Sequence, residues 1–140
     1  MKKWSVLILT ALLITGCQSP AKPNAKSVAE VMEQLSRKAD PEQTLVDVDT
    51  DQIDAFYFFA PDEVLDQQMK MAADTRADQI AVFEVSHPDE ARKVIESSLA
   101  AMQQQNANYF PEEADKLEHA CILNDGAVFA ANYVPAAAVI

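Results

Sequence analysis

The sequence predicts an α+β domain: an antiparallel sheet of about four strands, with helices packed on one of its faces. Residues 79–85 (QIAVFEV) combine β-branched and aromatic side chains and form the strongest predicted strand. Asp125-Gly126 lies between two apolar runs and predicts a hairpin. Residues 88–102 place apolar side chains at helical spacing and predict a long amphipathic helix. Two hairpins, one long helix and shorter N-terminal helices are therefore expected.

The first segment, residues 1–16, is typical of a secretory signal peptide. Lys2 and Lys3 precede a short apolar run that ends at Ile14. That run is about half of the ~20 residues that a membrane-spanning helix needs, which disfavours an uncleaved anchor. Leu13-Ile14-Thr15-Gly16-Cys17 has the pattern of a lipobox, in which the cysteine thiol is acylated and the chain is cut before it. The sequence therefore predicts a lipoprotein.

A lipidated Cys17 fixes the expected location of the rest of the chain. Its diacylglyceryl group supplies two acyl chains, and two chains hold a protein stably on a bilayer. Residues 17–26 hold the lipidated cysteine and a polar, proline-containing tether, and residues 27–140 are long enough for one domain. We therefore expect a lipid-anchored domain at the cell membrane, facing outside the cytoplasm, with the lipid bilayer as its first partner.

The exported part is strongly acidic. The leader holds two of the eleven basic residues and none of the 22 acidic ones, so the rest has a formal charge of −13. Such a charge disfavours nucleic acid as a partner. Solubility at the membrane surface is the simpler interpretation, and recognition of a basic partner is the alternative.

The N-terminal half of the domain predicts helices and one extended piece. Ser27–Glu30 reads as a capping box that starts a helix ending near Asp40-Pro41. Residues 45–48 alternate weakly and predict a short extended segment. Asp49 or Thr50 caps a second helix through Phe59, and Pro61 suits the start of another short helix.

The C-terminal half predicts the two hairpins and two more helices. A strand near 66–73 is expected to pair with residues 79–85, and Pro88 opens the long helix. Pro111 starts a short helix to about Glu118, and residues 120–123 and 128–134 form the second hairpin. We expect Tyr109 to pack beneath the loop that joins the long helix to this hairpin, which makes its role architectural.

No motif of a metal site or cofactor site emerges. Asp47-Val48-Asp49-Thr50-Asp51 begins like a calcium loop, but Gln52 stands where the turn glycine belongs and Phe58 where the bidentate glutamate belongs. These acids are expected at a helix N-terminus instead. His87 and His119 lack the spacing of a zinc motif. We therefore expect neither metal nor cofactor.

Four consecutive aromatic residues, Phe56 to Phe59, cannot all face one core from a helix. Either one or two are exposed to a partner, or the last pair belongs to a loop that folds back.

Cys121 is the only thiol after Cys17, and its apolar neighbours are typical of a buried cysteine. His119 lies two residues away and, on a strand, would point to the same face. A Cys121–His119 pair is thus the one catalytic alternative in the sequence; otherwise no catalytic residue is expected.

Three segments resemble a family of small bacterial lipoprotein domains, mostly Gram-positive, with no assigned function. Gln79–Phe83 resembles its central strand, Tyr109–Glu113 its Y-x-P-E-E turn, and Asp125-Gly126 with the following strand its closing hairpin. The resemblance implies a single α+β lipoprotein domain and brings no catalytic residue or substrate.

The leading functional hypothesis is a non-enzymatic, membrane-tethered binding or accessory module of the cell envelope with a protein partner. A small envelope enzyme that uses Cys121 and His119 is the alternative. A solute receptor is less favoured, because such receptors usually need two lobes.

Overall fold

The computed structural model describes residues 26–39, 44–125 and 128–132. The predicted signal peptide, Cys17 and most of the tether lie outside these ranges. Within them the elements, in chain order, are α1 Val28–Lys38, β1 Leu45–Asp47, α2 Thr50–Phe56, β2 Val64–Ala72, β3 Gln79–Val85, α3 Pro88–Ala107, α4 Pro111–Glu118, β4 Cys121–Asp125 and β5 Val128–Asn132. The strands form one antiparallel sheet in the order β1-β2-β3-β5-β4. The α+β class and both hairpins are confirmed, and β1 adds a short edge strand.

The predicted capping box at the start of α1 is present. The Ser27 Oγ accepts a hydrogen bond from the Glu30 backbone N–H at 3.3 Å, and the Glu30 Oε2 accepts one from the Ser27 N–H at 2.8 Å. The backbone bond from Ser27, followed by its side-chain bond, holds the pKa of Glu30 below its ordinary value.

Strand β3 is buried on both faces, and this corrects the expected layering. Ala81, Phe83 and Val85 point into the core formed with α2, α3 and α4. Ile80 and Val82 point the other way, against α1. The first core consists of Ile53, Tyr57, Met69, Ala81, Phe83, Val85, Ala91, Ile95, Leu99 and Leu117. The expectation of helices on one face was therefore wrong, because α1 is needed to cover the second apolar face of β3.

The short helix expected at Pro61 is a turn instead. Asp62 has a φ of 64°, a left-handed conformation that aspartate tolerates and that a helix does not. The turn is closed by the Glu63 N–H to the Ala60 carbonyl at 3.2 Å. The Glu63 carbonyl also accepts from the Ser86 N–H at 2.9 Å, which fastens the turn to the end of β3.

The expected burial of Tyr109 was wrong. Its side chain is 80% exposed, and Phe110 is 43% exposed. The Asn106 carbonyl accepts from the N–H groups of both residues, at 3.0 and 2.7 Å. Because this tight turn and Pro111 connect α3 to α4 through the backbone alone, no ring is required underneath.

Candidate binding groove

The aromatic run after α2 splits into buried and exposed side chains. Tyr57 is 1% exposed, whereas its neighbour Phe58 is 73% exposed. Tyr57 and the half-buried Phe59 each lie 4.9 Å, centroid to centroid, from Phe83 in the core. Helix α2 has already ended, and extended backbone sends alternate side chains to opposite sides. The loop therefore folds back through Phe59 and leaves Phe58 in solvent.

Phe58 forms one wall of a groove of about 570 Å³ between α2, this loop and the start of β2. A volume of this order is within the range of binding sites. Leu65, 63% exposed, lies on the β2 side. The lining residues are Thr50, Asp54, Tyr57, Phe58, Phe59, Ala60, Pro61, Asp62, Val64, Leu65, Asp66 and Gln67. Two large, exposed apolar side chains thus line one concave surface.

Three carboxylates, those of Asp54, Asp62 and Asp66, lie in the same groove. Gln67 positions two of them: its side-chain Nε2 donates to the Asp54 Oδ1 at 2.9 Å, and its backbone N–H donates to the Asp66 Oδ1 at 2.9 Å. Among the residues that the structure describes, no lysine or arginine forms an ion pair with any of the three. The groove therefore presents oriented negative charge to solvent.

The groove adjoins a free edge of the sheet. Strand β1 pairs only with the end of β2, opposite Lys70 to Ala72, and the Val48 N–H adds one bond to the Met69 carbonyl at 3.0 Å. On that side of β2, residues 64–68 have no paired strand within the described ranges. Within this stretch the Gln67 N–H donates to the Asp66 carboxylate, and the register with β3 shifts between Val64 and Asp66. Val64 to Gln67 also line the groove.

A second, smaller cleft of about 260 Å³ lies on the other side of Phe58, against α3. Its lining includes Val94, Ser97 and Ala101, with Lys93 at its rim. Phe58 thus separates an acidic groove from a more apolar cleft.

A closed polar cluster lies at the other end of the β2–β3 hairpin. Asp78 is 1% exposed, and its Oδ1 lies 3.4 Å from the Lys116 Nζ. The Arg76 Nη1 lies 3.9 Å from the Asp78 Oδ2. Glu113 accepts from the Ala77 N–H at 2.6 Å and pairs with Lys116 at 3.0 Å. These bonds hold α4 onto the hairpin.

Lys116 stays charged in this cluster. Its partial desolvation is the largest influence and lowers its pKa, but the hydrogen bond to Glu113 and the negative charges of Asp78 and Glu113 together outweigh it. The net pKa of Lys116 is therefore raised. Sequence patterns gave no signal for this cluster, because Asp78 and Lys116 lie 38 positions apart.

The residues of the catalytic alternative lie on different elements. His119 caps the C-terminus of α4, and its Nδ1 lies 2.8 Å from the Asp115 carbonyl of the same helix. Cys121 is a partly buried free thiol at the first position of β4. Since His119 precedes the strand, strand alternation does not place it beside the thiol. The enzymatic alternative stays a prediction.

The acidic run before α2 lies at a helix start, as expected. Asp49 is the N-cap position and Asp51 lies in the first turn of α2. Asp47 pairs instead with Lys70 on β2 at 2.7 Å. Within the described ranges, no group of three potential metal-ligating side chains is found, and none of the helices there is long and apolar enough to cross a bilayer.

Comparison with protein-family models, with curated proteins and with solved structures finds no match for this chain. What the groove binds must therefore be inferred from the residues that line it. The resemblance to small bacterial lipoprotein domains stays a prediction.

Proposed function

We propose that the chain is an extracytoplasmic lipoprotein, anchored in the cell membrane through acylated Cys17. Its folded domain is a non-enzymatic binding or accessory module of the cell envelope. The leader sequence supports the anchor, because a basic start, a short apolar run and Gly16-Cys17 follow one another at the spacing of a lipobox.

The groove is the single observation that favours binding as the domain's role. Phe58 and Leu65 are among the most exposed large apolar side chains of the described residues, and they share one concave surface. Exposed apolar groups in a groove with a few oriented polar groups are typical of binding sites. The polar groups are three carboxylates that the described part of the chain does not neutralise with lysine or arginine.

The anchor is tested by Cys17→Ser. We expect this variant to be released or to remain an unprocessed precursor, because both acylation and cleavage require the thiol. Membrane fractionation and intact-mass measurement of the product report the two events separately. Cys121→Ser is the matched control, since it removes the other thiol and should leave lipid and cleavage unchanged. A Cys17→Ser product that is still cleaved, acylated and membrane-bound would overturn the proposal.

A further inference from the structure

We propose that the groove and the free edge of β2 bind an extended basic segment of a partner protein, which adds to the sheet as a strand beside residues 64–68. This inference rests on the proposed binding function and names the chemistry of the partner. Three observations point to the same occupant: a stretch of sheet edge without a strand partner, exposed apolar side chains next to it, and carboxylates that no lysine or arginine of the described residues neutralises.

The open edge defines the conformation of the partner. A strand with free N–H and C=O groups is a template for another extended chain, and such pairing supplies affinity through main-chain hydrogen bonds. β1 leaves residues 64–68 without a strand partner on this side. The Gln67 N–H is already held by the Asp66 carboxylate, and the register with β3 shifts between Val64 and Asp66. The edge can therefore accept only a short segment, with the Leu65 backbone and the Gln67 carbonyl as its pairing groups.

The apolar side chains define which partner residues add specificity. Leu65 belongs to the edge strand itself, and Phe58 lines the same groove. In an added strand, alternate side chains point to one side. Every second residue of the partner can therefore contact Phe58 and Leu65.

The carboxylates define the charge of the partner. Asp66 lies directly opposite Glu84 in the β2–β3 register, and like charges in such a cross-strand pair destabilise a sheet. Among the described residues no lysine or arginine pairs with Asp66 to offset this repulsion. A lysine or arginine of the partner beside Asp66 would relieve it, and other basic residues of the segment would meet Asp54 and Asp62 in the groove.

The same charges argue against a second copy of this chain as the occupant. The full chain has a formal net charge of −11, and edge-to-edge pairing of two copies would bring both sets of carboxylates together. Inward- or edge-placed charges are a common protection against self-pairing of sheet edges. Charge repulsion thus disfavours pairing of two copies at this edge, whereas charge attraction favours a basic segment.

The probe is an octapeptide of alternating lysine and valine, titrated by calorimetry into the full chain in neutral detergent, with protein-free micelles as the blank. We expect saturable one-to-one binding that weakens with added salt. Three matched peptides separate the contributions: glutamate in place of lysine, serine in place of valine, and the original sequence with methylated peptide nitrogens. Each should bind at least tenfold more weakly.

Two groove variants test the location. Asp54→Asn, Asp62→Asn and Asp66→Asn combined, and separately Phe58→Ser with Leu65→Ser, should each weaken binding at least tenfold. The control combines three exposed acids of the first turns of α3 and α4, Asp89→Asn, Glu90→Gln and Glu112→Gln, and makes the same change in net charge. It should alter affinity less than twofold.

The inference is overturned by any of four results: no saturable binding up to millimolar peptide, equal losses in the groove and control variants, full affinity of the N-methylated peptide, or a dimer of the chain that the groove variants dissociate. These outcomes are independent of the anchor. A chain that binds the peptide through the groove but proves unlipidated refutes the anchor alone. A membrane-bound chain with no groove binding refutes this inference alone.

Discussion

Strand β2 has carboxylates near both of its ends, and the two ends treat them differently. At its C-terminal end, the buried Asp78 meets Arg76 and Lys116 of α4, and Lys116 also pairs with Glu113 of the same helix. At its N-terminal end, roughly 25 Å away at ~3.4 Å per residue, the groove carboxylates face solvent without a cation from the described chain. Carboxylates thus stabilise the fold where the chain supplies a counter-charge. Where the described chain supplies none, the proposed role of the carboxylates is contact with a partner.

The largest expected effect comes from removing the internal cation, in Lys116→Met. This variant leaves the buried Asp78 with Arg76, at 3.9 Å, as its remaining cation. Removing one partner of a buried ion pair typically costs ~3–5 kcal/mol, and Arg76 keeps the loss at the lower end. We expect the free energy of unfolding in urea to fall by about 3 kcal/mol.

The control for this variant is Lys93→Met. It removes an exposed cation of α3 that lines the smaller cleft. Exposed substitutions of this kind usually change stability by within about 0.5 kcal/mol. Equal losses in the two variants would mean that the Asp78–Lys116 cluster contributes no more to stability than an exposed lysine does. The contrast drawn between the two ends of β2 would then be wrong.

The next effect separates neighbouring aromatic residues at the groove end. Phe59→Ala removes a ring that packs on Phe83, and loss of a buried aromatic costs ~3–5 kcal/mol; because Phe59 is only half-buried, we expect about 2 kcal/mol. Phe58→Ala removes a ring that is 73% exposed and should change stability by within about 0.5 kcal/mol. Thermal unfolding of the two variants decides whether the exposed ring is free for contact, and a loss for Phe58→Ala as large as that for Phe59→Ala would show that it is part of the core.

The smallest effect concerns pH at the C-terminus of α4. The backbone carbonyl of Asp115, followed by the Asp115 carboxylate, raises the pKa of His119 above its ordinary value of 6.5. A raised folded-state pKa means that protonated His119 stabilises the fold fully below the unfolded pKa and loses that contribution as pH rises through the folded pKa. An NMR titration should place its pKa above 6.5. Asp115→Asn should lower the shift only in part, because the carbonyl remains; an unshifted His119 would contradict the prediction.

Strand β3 of the first hairpin could be predicted from the sequence, because local side-chain preferences determine where it begins and ends. Residues 79–85 were predicted as a strand with the bounds that β3 has. The same run also held the signal for α1, since Ile80 and Val82 interrupt the alternation expected of a one-sided strand.

The groove and the polar cluster could not be read from local patterns. The groove depends on a left-handed Asp62 that replaces a helix start by a turn, and on how far β1 extends along β2. The cluster joins Asp78 to Lys116, which only the packing of α4 on the hairpin brings together. The expected packing of Tyr109 beneath the loop fails because backbone bonds to the Asn106 carbonyl close this turn and leave the ring exposed.

The burial of β3 on both faces also determines the order in which parts of the domain unfold. Backbone amides of Ala81 to Phe83 exchange with solvent only when both cores have separated, so their exchange should report global unfolding. Helix α1 packs through a smaller set of side chains than α2, α3 and α4 together, so we expect it to detach first. Such a partial opening would expose Ile80 and Val82 as an apolar strip on the face of the sheet that α1 covers. The capping box at Ser27 and Glu30 therefore helps to keep that strip hidden during the lifetime of the folded domain.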